Sequence, residues 1–312
     1  MLFNEKRKMP INSCHLQEFS MLIDTHAHLN FASFKDDFDK IIRECLNQHI
    51  WLINVGTKYT TSKRAVEIAQ RYREGVFAAI GLHPIHLESR RVDPSELDFQ
   101  KGFTSDKEDF DCQKYRELAR SEKVVAIGEI GLDYYWKPKT KTRFEKFRKK
   151  QMEVLFEQVG LAKELDLPVI FHCRMAHSDL IEFLRSQVSG LGIRGVVHCF
   201  TGTWGQAQEY LEMGLYLGFN GIIFKKIDGV DFDEIIKKIP LERILVETDC
   251  PYLTPPDFPE KRNNPLGVSL ICRHLAEIKG VSFEKMAIIT TENAKELFKL
   301  AKPMDRIQDS EQ

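Results

Sequence analysis

The chain has 312 residues, 43% hydrophobic and 29% charged, with a formal net charge of −1. That composition is globular, and the near-zero charge excludes a global basic field for nucleic acid, leaving only local patches. No apolar run approaches the roughly 20 residues a membrane span needs.

The first twenty residues, MLFNEKRKMPINSCHLQEFS, are too polar for a signal-peptide core and read as a dispensable extension, 1–20. A strand-like run, MLIDTHAHL (21–29), follows, and then a helical pattern over 38–49. WLINVG (51–56) is the second strand, with a helix over 60–75, and VFAAIGL (76–82) is the third. Residues 88–122 are a long polar stretch with one helix around 111–121; a loop of that length is usually functional or mobile. VVAIGEIGL (124–132) is the fourth strand, followed by a long amphipathic helix over 147–165. PVIFHC (168–173) and GVVHCF (195–200) are the fifth and sixth, and a helix over 203–214 comes next. YLGFNGI (216–222), a helix over 231–239 and ILVETD (244–249) complete eight strands. Helices over 263–280 and near 293–301 close the pattern, and 302–312 is a polar tail. The strands are continuous apolar runs, as parallel strands buried on both faces require. Eight such strands with helices between them predict a single-domain α/β fold, a (β/α)8 TIM barrel over 21–301. An open doubly wound sheet has the same periodicity. Seven scattered cysteines with no CxxC pair indicate reduced thiols and a cytoplasmic location.

His26, His28, His83, His172 and His198 fall at the C-terminal ends of predicted strands, with Glu129 on the fourth and Asp249 closing the eighth. In a barrel those ends meet at one rim, where active sites lie. In HxH, positions i and i+2 share a face, so His26 and His28 reach a common centre. Each residue alone has an ordinary reading: a core histidine, a solvent-facing glutamate, a capping aspartate. Six candidate ligands from five strand ends, His26, His28, Glu129, His172, His198 and Asp249, favour a metal site. Six are too many for one catalytic ion that keeps an open position, and suit two ions sharing a carboxylate. Imidazole with carboxylate suits Zn, Mn, Fe or Ni. Cys173, Cys199 and Cys250 each follow a ligand by one position and should point away from it. Asp24 is expected one step deeper on the ligand face, supporting a ligand by hydrogen bonding.

The motifs DTHAHLNF, GLHP, AIGEIGLDYY, LPVIFHCR, GVVHCFTG, GFNGIIFK, VETDCPYLTP and KRNNP stand in order across the chain. With them it resembles the TatD family of metal-dependent hydrolases, from about Met21 to Leu300. The resemblance implies a cytoplasmic 3′→5′ deoxyribonuclease on single-stranded DNA, using two divalent metal ions, magnesium in assays. It implies that His26, His28 and Asp249 hold one ion, His172 and His198 the other, and that Glu129 bridges. KRNNP departs from the family's usual KRNEP at Asn264, and 88–122 is longer than usual.

The expected chemistry is attack by a metal-bridged hydroxide, with Glu129 and Asp249 catalytic and Asp249 accepting or orienting the proton. His83, Arg174 and Arg262 are expected substrate contacts, the guanidinium groups matching phosphate. Tyr134, Tyr135 and Trp136 precede KPKTKTRFEKFRKK (137–150), which holds eight basic residues and one acid. DNA contact is expected from the aromatics, Tyr134 foremost, and from the first basic residues. The same site would serve an acyl hydrolase (ester, lactone, amide or D-aminoacyl-tRNA), or an inactive nucleic-acid-binding barrel could retain the fold. No membrane association and no obligate protein partner is indicated.

Overall fold

In a computed structural model, residues 21–92, 103–135, 137–188 and 192–300 are described. The extension 1–20 and the tail 302–312 lie outside the described residues. The apolar runs form β1 (Leu22–Ala27), β2 (Ile50–Val55), β3 (Val76–Ile80), β6 (Val124–Asp133), β7 (Val169–Arg174), β8 (Gly195–Val197), β9 (Tyr216–Phe219) and β10 (Ile244–Val246). They make one parallel sheet in the order β1-β2-β3-β6-β7-β8-β9-β10. All ten residues of β6 are buried, as a strand covered on both faces demands. β10 meets β1 through an Ala27–Cys250 bridge and bonds from His28 N to Cys250 O (3.0 Å) and Asp249 N to His26 O (2.8 Å), which turns the sheet into a barrel.

The helices are α1 (Phe38–Asn47), α2 (Tyr59–Ala69), α3 (Cys112–Leu118), α4 (Lys141–Glu164), α5 (His177–Val188), α6 (Trp204–Glu212), α7 (Phe232–Lys238), α8 (Val268–Lys279) and α9 (Phe283–Phe298). α5 is a helix the apolar pattern did not mark, and α4 and α9 begin before the expected starts at 147 and near 293. α4 starts within the basic run, where Lys141, Thr142 and Arg143 are exposed and Phe144 and Phe147 alone supply an apolar signal before Met152. Within the long polar stretch, β4 (Arg90–Val92) and β5 (Phe103–Ser105) form an antiparallel ribbon, and residues 93–102 lie outside the described residues. No described helix is long and apolar enough to cross a membrane.

Two cores divide the side chains by strand parity. Ile42, Cys45, Leu52, Ile80, Phe171 and Leu217 belong to the cluster between sheet and helices. Ile23, Ile53, Val125, Ile170, Val196, Tyr216 and Leu245 form the other, within the barrel, joined by Ala294, Leu297 and Phe298 of α9. Thr291 of α9 also donates to Met21 O (2.7 Å), so the last helix docks against the first strand.

One bulge reorders β1. Its pairing with β2 slips between Asp24 and Ala27. A bulge inserts one residue and reverses the parity beyond it. Ile23 therefore sits with the barrel interior, and so do His26 and His28, while Asp24 faces the other way. This corrects the expectation that Asp24 shares the ligand face. Its carboxylate accepts from Thr248 N (2.9 Å), Thr248 Oγ1 (2.6 Å) and His26 N (3.2 Å), stitching β1 to the end of β10.

Burial pushes the Asp24 carboxyl up to about 8, against the Thr248 and His26 donors that pull it down. A folded value above that of an unfolded aspartate means stability fully present below about pH 4 and lost as pH rises through the folded value. In EDTA, the melting-temperature advantage of wild type over the non-titrating Asp24→Asn should be largest near pH 4 and shrink through pH 8. A difference independent of pH contradicts a carboxyl held so high. Asp24→Leu, which leaves the Thr248 donors buried and unpaired, should cost about 2 kcal/mol or more at any pH.

Candidate metal centre

The strand alternation that hides Ile170, Val196 and Leu245 in the barrel carries His172, His198 and Glu247 to the next interior layer, and Asp249 above it. Glu129 stands among them, buried, and its two oxygens face different partners. Oε2 lies 3.4 Å from His26 Nε2 and 3.9 Å from His28 Nε2. Oε1 lies 2.8 Å from His172 Nδ1, 2.8 Å from His198 Nε2 and 3.3 Å from His83 Nε2. Asp249 Oδ1 completes the first side, 3.3 Å from His28 Nε2 and 3.8 Å from His26 Nε2. His26, His28 and Asp249 form one group able to hold an ion; Glu129, His172 and His198 form another.

The spacings within each group fit a cation. His26 Nε2 and His28 Nε2 are 3.2 Å apart, and His172 Nδ1 and His198 Nε2 are 3.4 Å apart. Ligand atoms on one tetrahedral ion with metal–nitrogen bonds near 2.0–2.1 Å stand about 3.3 Å from one another. The outward nitrogens are partly fixed. His28 Nδ1 donates to Val55 O at 2.8 Å, which leaves the Nε2 lone pair facing the centre. His172 Nε2 faces Asp133 Oδ2 at 3.3 Å, which leaves Nδ1 inward. His26 Nδ1 is buried with no hydrogen-bond partner. His83 differs: its Nδ1 accepts from Ile85 N (3.0 Å), so its proton sits on Nε2 and points at Glu129 as a donor. That suits contact with a substrate oxygen and not ligation.

Burial would raise the Glu129 carboxyl, but the His83 and His198 imidazoles and hydrogen bonds from His172 and His198 hold it well below the carboxylate range. Asp249 is likewise held low, its burial outweighed by His28, His26 and His198. Burial would lower His172 and His198; the anions outweigh it, Asp133 and Glu129 for the first, Glu129 and Glu247 for the second, and both imidazoles rise. His26 is lowered by burial and by His198, whose ring stacks on it at 4.0 Å.

Sequence reasoning missed Asp133 and Glu247. Asp133 splits its oxygens, Oδ2 toward His172 and Oδ1 accepting from Tyr135 N at 2.9 Å. Glu247 Oε1 accepts from Cys199 N (2.7 Å) and Asn220 Nδ2 (2.9 Å) and lies 3.5 Å from His198 Nδ1. It thereby pins Cys199, which has φ 46°, directly after His198. Gly218 makes room for this: a Cβ there would come within 2.6 Å of Glu247 Oε2. The signal was present, because Glu247 precedes Asp249 by two, the spacing of His26 and His28.

Two expected substrate contacts are placed elsewhere. Tyr134 is buried, and its hydroxyl donates to Asp179 Oδ2 at 2.7 Å, so of the described aromatics there Tyr135 is the exposed one; Trp136 lies outside the described residues. Arg262 donates to Ser33 O and Asp37 Oδ2 and covers the Phe34 ring, so its guanidinium is committed to holding its own loop. Arg174 lies over the Tyr135 ring, its Cζ 3.6 Å from the centroid. Of the cysteines beside the ligands, Cys173 and Cys250 are buried packing residues, and Cys199 is partly buried with its thiol toward Asn220.

Residues 23–299 match the family described as TatD related DNase. Over 282 residues, 90% of this chain and all of the relative, the sequence is 39% identical to the uncharacterized metal-dependent hydrolase YabD of Bacillus subtilis. It is 32% identical over 286 residues, 90% of this chain and all of the relative, to the 3′-5′ ssDNA/RNA exonuclease TatD of Edwardsiella piscicida. Among solved structures it is similar to the TatD homologue YJJV of Escherichia coli, with a TM-score of 0.75 and 28% identity over 91% of this chain and all of that one.

A cation at the second group must displace the inward protons of His172 and His198, which the neighbouring carboxylates hold more tightly than in a free histidine. Calorimetry at pH 7 in two buffers of different ionisation enthalpy should show proton release on loading. Affinity should fall tenfold or more from pH 8 to pH 6. Loading without proton release, or with affinity flat across that range, contradicts the assignment.

Proposed function

As a member of the TatD-related DNase family this chain is a metal-dependent hydrolase, and we propose that it cleaves phosphodiester bonds of single-stranded DNA from the 3′ end. The observation that carries the proposal is the Glu129 carboxylate, whose oxygens each face a separate ligand group. The exonuclease activity named for the Edwardsiella relative supports the substrate class. We assign His26, His28 and Asp249 to one divalent ion, His172 and His198 to the other, and Glu129 to both. Such a pair, when bound, supplies Lewis acidity and lowers the pKa of a coordinated water.

The protein's own groups divide the remaining work. Glu129, held ionised, places one full negative charge between the two groups. Asp249 has a side chain 15% exposed, in contrast to the enclosed Glu129, so an incoming water can reach it. Held as a carboxylate, it accepts the proton that water loses. His83 presents an Nε2 proton that can donate to a substrate oxygen as charge accumulates there. Asp133 and the Val55 carbonyl keep His172 and His28 aimed inward through the cycle.

The test uses metal-depleted protein with 3′-labelled single-stranded DNA, an RNA oligomer and a D-aminoacyl-tRNA, restoring Mg, Mn, Zn, Fe or Ni in turn. DNA cleavage from the 3′ end is expected; cutting of the acyl bond alone sinks the phosphodiester reading in favour of an acyl hydrolase. Glu129→Gln should lose at least about a thousandfold in kcat. Asp249→Asn should lose a similar factor while still binding metal at the His172 group, measured by metal content after gel filtration. Full turnover by either variant rules out the assigned roles.

A further inference from the structure

The rim beside His172 carries a flat, charged aromatic layer that the hydrolytic chemistry does not use. Tyr135 is 44% exposed, one of four large hydrophobic side chains so exposed among the described residues. The Arg174 guanidinium lies over its ring at 3.6 Å. Arg174 is two residues beyond His172 on β7, so it shares that residue's face about 6–7 Å further along the strand. The pair is held rigidly. Arg174 is in register with Asp133, Tyr134 N donates to Arg174 O (2.9 Å), and Tyr135 N donates to Asp133 Oδ1 (2.9 Å). The other oxygen of that carboxylate faces His172, so a single side chain sets both the layer and a ligand of the metal centre. Exposed Met175 borders Arg174, and exposed Lys137, Lys139, Lys141 and Arg143 follow Tyr135.

We propose that Tyr135 and Arg174 form a stacking platform for a nucleobase of the substrate, one nucleotide from the phosphodiester being cut; this rests on the phosphodiester reading above. An aromatic ring already carrying a guanidinium offers a planar, cationic surface of nucleobase size, and the π-face of an unpaired base fits it. A base still stacked in a duplex offers no such face, so the platform selects unpaired strands. The flanking lysines follow the backbone that leads away from the site. Arg174 thus acts through its plane, in place of the phosphate clasp its position in the sequence suggested.

The experiment compares single-stranded oligonucleotides with matched oligomers in which one abasic residue is moved stepwise across the positions nearest the 3′ end. The wild-type enzyme should show a KM at least about tenfold higher when the abasic residue occupies one particular position. Tyr135→Leu should lose that discrimination, and Arg174→Lys, which keeps the charge without the plane, should lose most of it. Circular dichroism and melting temperature check that both variants fold. Cleavage by the wild type with no position sensitive to base removal overturns the platform. So does a Tyr135→Leu variant that still discriminates, or an Arg174→Lys variant that keeps full discrimination. Absence of any phosphodiester cleavage by the metal-loaded wild type instead defeats the substrate class, and the platform with it.

Discussion

A single buried anion organises this molecule. Glu129 lies in a strand whose ten residues are all hidden from water, a position where an isolated carboxylate would cost several kcal/mol. It is tolerated because imidazoles converge on it from β1, β7, β8 and the turn after β3. Four of those rings are in turn held from behind or beside, His28 by Val55 O, His172 by Asp133, His198 by Glu247 and His83 by Ile85 N, while His26 stacks on His198. Removing the anion would leave a cluster of like donors with nothing to face, which is why the centre is one cooperative unit.

The barrel accommodates this charge by layering. Below, interior positions carry Ile23, Ile170, Val196 and Leu245, packed as any core. Above, the same parity carries histidines and acids. On β1 and β6 the change of character comes with local departures from regular geometry. β1 inserts a bulge, β6 slips against β7 between Ile127 and Ile130, and Gly131 takes φ 149° where a Cβ would strike the His172 carbonyl at 1.9 Å. Cys199 and Asp249, both at positive φ, sit at the upper ends of their strands. Such strain persists only where surrounding bonds over-determine it, and here Glu247 and the β1–β10 closure do so.

Much of this was legible in the sequence. Eight continuous apolar runs gave the strands, and polar residues at their C-terminal ends gave the rim, because alternation and barrel topology are both periodic. What escaped were departures from periodicity. Asp24 was placed on the wrong face because a bulge leaves no mark in a six-residue run. Tyr134 and Tyr135 are adjacent aromatics, and only the turn set by Asp133 decides which is exposed. Arg262 looked like a phosphate ligand until Asp37 and Ser33, more than 220 residues earlier, claimed it. Asp133 and Glu247 were visible by spacing, yet in single strands they resemble any acid in an apolar run.

The seam of the barrel joins its first and last strands. Asp24 bonds Thr248 across 224 residues, and α9 both plugs the interior and grips Met21 across 270. On a ribosome adding about 5–20 residues per second, β1 therefore waits roughly 15 to 55 seconds for the partners that cover it. Until then its apolar edge and two histidines of the centre stay exposed to the cell. Assembly of the metal site is thus tied to the arrival of β10 and Asp249, and a chain truncated before β10 would present an open sheet edge with an incomplete set of ligands.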